Sequence, residues 1–85
     1  MLVSMKSILD EANRGNYAVI SPDIFSEIDA RACIEAAEDM DSPIILAVAY
    51  PTTKDIRVTA GIAQLLARQA RVPVAVHLDH GKNMK

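Results

Sequence analysis

An imidazole, a carboxylate and a second imidazole close the apolar run Val74-Ala75-Val76-His77-Leu78-Asp79-His80-Gly81. A carboxylate can take a proton from a hydroxyl, and an imidazole can hold a divalent metal or carry a proton itself. Short β-branched runs read as buried parallel strands, whose C-terminal ends are where α/β folds place their chemistry. Asp79 is therefore a candidate catalytic carboxylate, and His80 a candidate metal ligand. Each also has a plainer reading. Asp79 suits the cap of a following helix, and His80 a solvated or hydrogen-bonded loop position. His77, alternating with Leu78, reads as a structural, hydrogen-bonded side chain. Gly81 permits close backbone approach, while Lys82 and Lys85 read as solvated charges. The sequence ends at Lys85, so a site that begins here is expected to be completed by residues it does not hold.

The elements that must position these groups are legible from periodicity. Met5, Ile8, Leu9 and Ala12 recur at helical spacing, with Ser4 as N-cap and Gly15 as the stop. Tyr17-Ala18-Val19-Ile20 reads as a first strand ended by Ser21-Pro22-Asp23. Ser26 caps a second helix, with Asp29 at its third position favouring the dipole. Ala30, Cys33, Ile34 and Ala37 form its buried stripe, which ends near Met40-Asp41 ahead of Pro43. Ile44 to Ala49 is a second strand, apolar on both faces, as expected only when both sides of a sheet are covered. Tyr50-Pro51 shapes the following loop. Val58, Ile62, Leu65 and Leu66 mark a third helix to about Ala70, and Val72 to Leu78 is the third strand.

Composition narrows the class. The chain has 85 residues, which allows one small domain at most and a limited core. Hydrophobic residues make up 51% and aromatics only 4%, which suits layered α/β packing better than an antiparallel sandwich. With a formal charge of −2 and no basic run, neither nucleic acid nor an anionic membrane is an expected partner. Cys33 is a single cysteine, which excludes a disulfide framework and reads as a reduced thiol in the core. No signal peptide and no run long enough to span a bilayer is seen, so a cytoplasmic protein is expected.

A helix followed by β-α-β-α-β with two-faced strands implies a parallel sheet. An open dinucleotide-binding sheet would carry glycines after its first strand, and Ser21-Pro22-Asp23-Ile24 has none. A (β/α)8 barrel needs roughly 250 residues, so the chain would be its N-terminal portion, a short helix plus about three βα units. Residues 1–85 are then one partial domain of an incomplete TIM barrel.

Several blocks together resemble the class II, metal-dependent ketose-bisphosphate aldolases. They are Leu2-Val3-Ser4-Met5, Gly15-Asn16-Tyr17-Ala18-Val19, Ile34-Glu35-Ala36-Ala37-Glu38, Ser42-Pro43-Ile44-Ile45-Leu46 and, closest of all, Val72 to Gly81. They keep order and spacing over nearly the whole chain. The resemblance implies a (β/α)8 barrel, usually a homo-oligomer. It further implies a phosphorylated ketose substrate, fructose- or tagatose-1,6-bisphosphate, cleaved to dihydroxyacetone phosphate and glyceraldehyde 3-phosphate. Asp79 is then the proton carrier and His80 the first ligand of a catalytic Zn2+, with further ligands and the phosphate-binding segments expected from later strands.

The chain also departs from that family. Ile20, Ser21, Pro22 and Asp23 stand where Gly-Ala-Phe-Asn is usual, and Ala49 where a substrate-contacting Ser is usual. Asp23 is thus a candidate substrate contact carrying an extra negative charge, its plainer reading being a turn or cap residue. A divergent branch of the family is expected. The alternative is a catalytically inactive truncated fragment, acting if at all through self-association across its open sheet edges.

Overall fold

The computed structural model describes residues 1–49 and 56–79. The described elements run α1 (Met5–Gly15), β1 (Asp23–Ile24), α2 (Glu27–Asp39), β2 (Ile44–Ala49), α3 (Ile56–Gln69) and β3 (Val74–Asp79). They form a parallel three-stranded sheet in the order β1-β2-β3. This is the α/β architecture expected, and it is consistent with part of a TIM barrel.

The helix ends follow from local chemistry. Ser4 caps α1 by accepting the amide of Ser7, and Ser26 caps α2 by accepting that of Asp29. The Asp29 carboxylate in turn accepts the Phe25 amide at 3.0 Å, satisfying one more donor at that end. α1 stops at Gly15, as expected, and Asn16 beyond it takes the left-handed conformation at φ 59°. The Tyr17 amide then returns to the Ala12 carbonyl at 3.0 Å. Asp41, at φ 51°, does the same after α2, where the Ser42 amide reaches the Ala37 carbonyl at 2.9 Å. Both chain reversals use Asn or Asp, whose short polar side chains tolerate this region better than most.

The first strand is displaced from its expected place. Tyr17-Ala18-Val19-Ile20 is not a strand, and β1 is only Asp23–Ile24. The Ile20 carbonyl does accept from the Ile45 amide at 3.2 Å, as a parallel ladder requires. The reciprocal bond would come from the N–H of residue 22, and Pro22 has none. Pairing is re-established one step later, where the Ala47 amide reaches the Pro22 carbonyl at 2.9 Å.

The third helix also differs from its expected stripe. Leu66 is buried and Ile62 packs against the core as expected, but Val58 and Leu65 are more than half exposed, and Ala63 and Ala67 face the sheet in their place. Small residues at 63 and 67 let the helix axis approach the strands closely. The third strand begins two residues later than expected, although Val72 is buried ahead of it.

Met1 to Val3 lies beside the start of β3, with Leu2 bridging Val74 in parallel. The Val74 amide reaches the Met1 carbonyl at 2.8 Å, and the Val3 amide reaches the Val74 carbonyl at 2.9 Å. The terminal ammonium adds bonds to the carbonyls of Ala70 and Val72.

Alternation along the strands assigns two faces. Ile24, Ile44, Leu46, Val48 and Val74 pack with Ala30, Ile34 and Ala37 of α2 and Ala63, Leu66 and Ala67 of α3. On the other face Ile45 and Ala75 meet Ile8 of α1, with Val3, Met5 and Val19 around them. The first cluster is the main core, and the second is a small apolar floor laid by α1.

Candidate active site at the C-terminal end of the sheet

Register brings together residues far apart in sequence. Asp23 pairs with Ala47, and Ala47 pairs with His77, so all three stand in one row across the sheet. The row below holds Ile45 and Ala75, in register and buried under Ile8. The row above holds Ala49 and Asp79 at the C-terminal ends of β2 and β3. On this face the sheet therefore changes from apolar to polar in a single step along the strands. The polar end is the one at which parallel α/β sheets bind and transform ligands.

Asp79, the candidate catalytic carboxylate, is the last residue of β3. His80, the candidate metal ligand, lies outside the described residues, as do Tyr50, Pro51, Gly81, Lys82 and Lys85. Asp23 is exposed, at the edge strand, and is ion-paired with no cation among the described residues. His77 is half-buried beside Ala47. It reads from sequence as a hydrogen-bonded structural residue, yet no hydrogen-bond partner of its ring is found among the described residues.

No group of three His, Cys, Asp or Glu side chains that could hold a metal occurs among the described residues. A catalytic zinc takes three protein ligands, so the described residues do not by themselves fit one. Cys33, on α2, packs half-buried against the main core, on the opposite face from this row. Burial pushes its thiol pKa up, and the nearby Asp29 carboxylate adds to the shift. It is a core thiol, as its place in the helical stripe suggested.

A groove of about 760 Å³ runs between α2 and residues 17–22, lined by Tyr17, Ile20, Cys33, Ala36 and Met40 among others. Its lining is mostly apolar and includes neither Asp23 nor His77. The row of Asp23, Ala47 and His77 was not legible in the sequence, because adjacency across strands depends on register. The signal available was parity: 23 and 77 each stand one position away from an aliphatic packed in the main core, the buried Ile24 and the partly buried Val76.

No helix among the described residues is long and apolar enough to cross a membrane. The family model for class-II fructose-bisphosphate aldolase matches residues 3–85. A fructose-bisphosphate aldolase of Thermus caldophilus is 42% identical over 84 residues, covering 98% of this chain and 28% of that protein. One from Geobacillus stearothermophilus is 37% identical over 89 residues, covering 99% of this chain and 31% of its own. A 6-phospho-5-dehydro-2-deoxy-D-gluconate aldolase of Halalkalibacterium halodurans is 36% identical over 85 residues, covering 94% and 30% respectively. The chain thus spans under a third of the length of these relatives. These matches favour aldolase-type chemistry over an inactive, self-associating fragment. With Asp79 at a strand end beneath which Asp23 and His77 share a row, and with the match running from residue 3 to residue 85, the chain belongs to the class-II fructose-bisphosphate aldolase family.

Proposed function

We infer that this chain supplies the N-terminal part of the site of a zinc-dependent aldolase that cleaves a phosphorylated ketose. The observation that carries the reading is the position of Asp79. It closes β3 in register with Ala49, at the functional end of a parallel sheet, in a chain of aldolase sequence. Asp79 acts as the proton carrier, taking the hydroxyl proton as the carbon–carbon bond breaks and returning it in the condensation direction. Asp23, two strands away, faces the substrate.

Zinc enters the proposal through His80, the expected first ligand, with the remaining ligands outside the described residues. Such an ion would polarise the ketone and stabilise the enediolate that cleavage leaves behind. The chemistry argued for this chain rests on its carboxylates. A cytoplasmic location and a homo-oligomeric state belong to the same proposal.

The relatives' names include two substrates, so the assay offers both: fructose 1,6-bisphosphate and 6-phospho-5-dehydro-2-deoxy-D-gluconate. Cleavage of one of them, abolished by a chelator and restored by zinc, is expected. His80→Ala should lower bound zinc and turnover together. Cleavage that survives the chelator overturns zinc dependence, and cleavage of neither substrate overturns the ketose reading.

A further inference from the structure

The outward surface of the helical layer carries a pattern that the core does not explain. Ala63 and Ala67 turn α3 towards the sheet, and Leu66 and Gln69 face α2 across a small cavity shared with Ile34 and Glu38. At 3.6 residues per turn, Val58 and Leu65 fall within about 20° of the direction opposite the sheet. Both are more than half exposed. On α2 the buried stripe of Ala30, Ile34 and Ala37 leaves Ile28 and Asp39 on the outward side in the same way, and Ile28 is 78% exposed. Gly61 stands between Val58 and Leu65 in the interior of α3, where glycine destabilises a helix relative to alanine. A Cβ placed there would meet nothing within 4 Å, so the chain's own packing gives no reason for a glycine. A second helix crossing at this point does, because helix axes approach most closely where a side chain is missing.

Charge identifies that helix. α2 holds five carboxylates and one Arg, whereas α3 holds two Arg and no carboxylate. Asp39 closes α2 at the negative end of its dipole, with no basic residue in that last turn. Arg68 lies in the last turn of α3. Both helices join parallel strands of one sheet, so they run in the same direction. A two-fold axis parallel to them lays α2 of one copy over α3 of the other. Arg68 then reaches Asp39 of the second copy, and Val58, in the first turn of α3, meets Ile28 in the first turn of α2. A helix added to the same layer would lie beside α2 or α3 rather than over them. The face therefore fits a second copy of this chain.

We propose that the outward face of α2 and α3 is a self-complementary dimer interface, in which α3 of each copy crosses α2 of the other at Gly61. Val58 and Leu65 supply its apolar centre with Ile28, and Arg68 pairs with Asp39 once on each side of the axis. This locates the contact of the homo-oligomer proposed above and rests on that part of the reading alone, not on aldol cleavage.

Sedimentation velocity on the full chain tests it, and a dimer that grows in with concentration is expected. Gly61→Leu adds a side chain into open space within one copy but into the crossing between two. Association should weaken about tenfold while the urea midpoint of the dilute chain does not fall. Arg68→Glu and Asp39→Arg each set like charges together twice per dimer, and each should weaken association about tenfold. Asp39→Arg suits the C-terminal end of α2, so its effect is not a loss of fold. An equimolar mixture of those two variants should restore the dimer, since every copy then meets the opposite charge on its partner. Failure of the mixture to associate overturns the proposal. So does a chain that stays monomeric over about a hundredfold range of concentration, or an assembly indifferent to Gly61→Leu and both charge reversals. A monomer that cleaves a ketose overturns this interface and leaves the aldolase reading. A dimer that responds as expected but cleaves no ketose does the reverse.

Discussion

The two faces of this sheet are made by the same strands and serve different ends. On one, Ile24, Leu46, Val48 and Val74 lie under α2 and α3 with essentially no exposure. On the other, a single layer of Ile45 and Ala75 is sealed by Ile8, and the next row is already Asp23, Ala47 and His77. Burying an aliphatic side chain contributes about 1.5–3 kcal/mol, so the helix-covered face holds most of the folding free energy. The opposite face gives up apolar contact one layer above its floor. Period-two alternation lets neighbouring positions in one strand do both jobs without conflict.

That contrast can be broken by measurement. Leu46→Ala, at the centre of the main core, should cost about 4–5 kcal/mol, read as a lower midpoint in urea. Ile8→Ala, in the thinner floor, should cost about 2–3 kcal/mol by the same assay, since fewer neighbours surround the void. Equal costs would mean that the two faces contribute alike. Ser26→Ala should cost about 1 kcal/mol by freeing the Asp29 amide at the start of α2. The smallest effect is chemical. Because burial raises its pKa, the Cys33 thiol holds less thiolate at pH 8 than a free cysteine, and iodoacetamide should alkylate it more slowly. Reaction as fast as a free thiol's would show that the α2 stripe is not packed as described.

How much was legible in the sequence follows the same division. Helix caps at Ser4 and Ser26 and the strand from Ile44 to Ala49 were all foreseen, because each is set by local chemistry or by an uninterrupted apolar run. The first strand was misplaced because Tyr17-Ala18-Val19-Ile20 has the composition of a strand, while Pro22 removes the donor that its ladder needs. In α3, Ile62 and Leu66 pack on the core as their spacing implies, while the small Ala63 and Ala67 complete that face without marking it in the pattern of large residues. The position of Asp79 at a strand end is legible from the apolar run before it. The row that Asp23 and His77 share across Ala47 is not, since 54 positions separate them and only register aligns them. α1 ends at Gly15, as its spacing implies, and Asn16 supplies the left-handed turn beyond it.

The central claim is that the polar end of this sheet does the chemistry and the helix-covered face does the folding. The most direct test is Asp79→Asn, with aldol cleavage and the urea midpoint measured on one preparation. Turnover should fall by about 10²–10⁴, the contribution of a positioned proton carrier, while the midpoint stays where it is. Retained turnover, or a loss that merely follows a lowered midpoint, would contradict it.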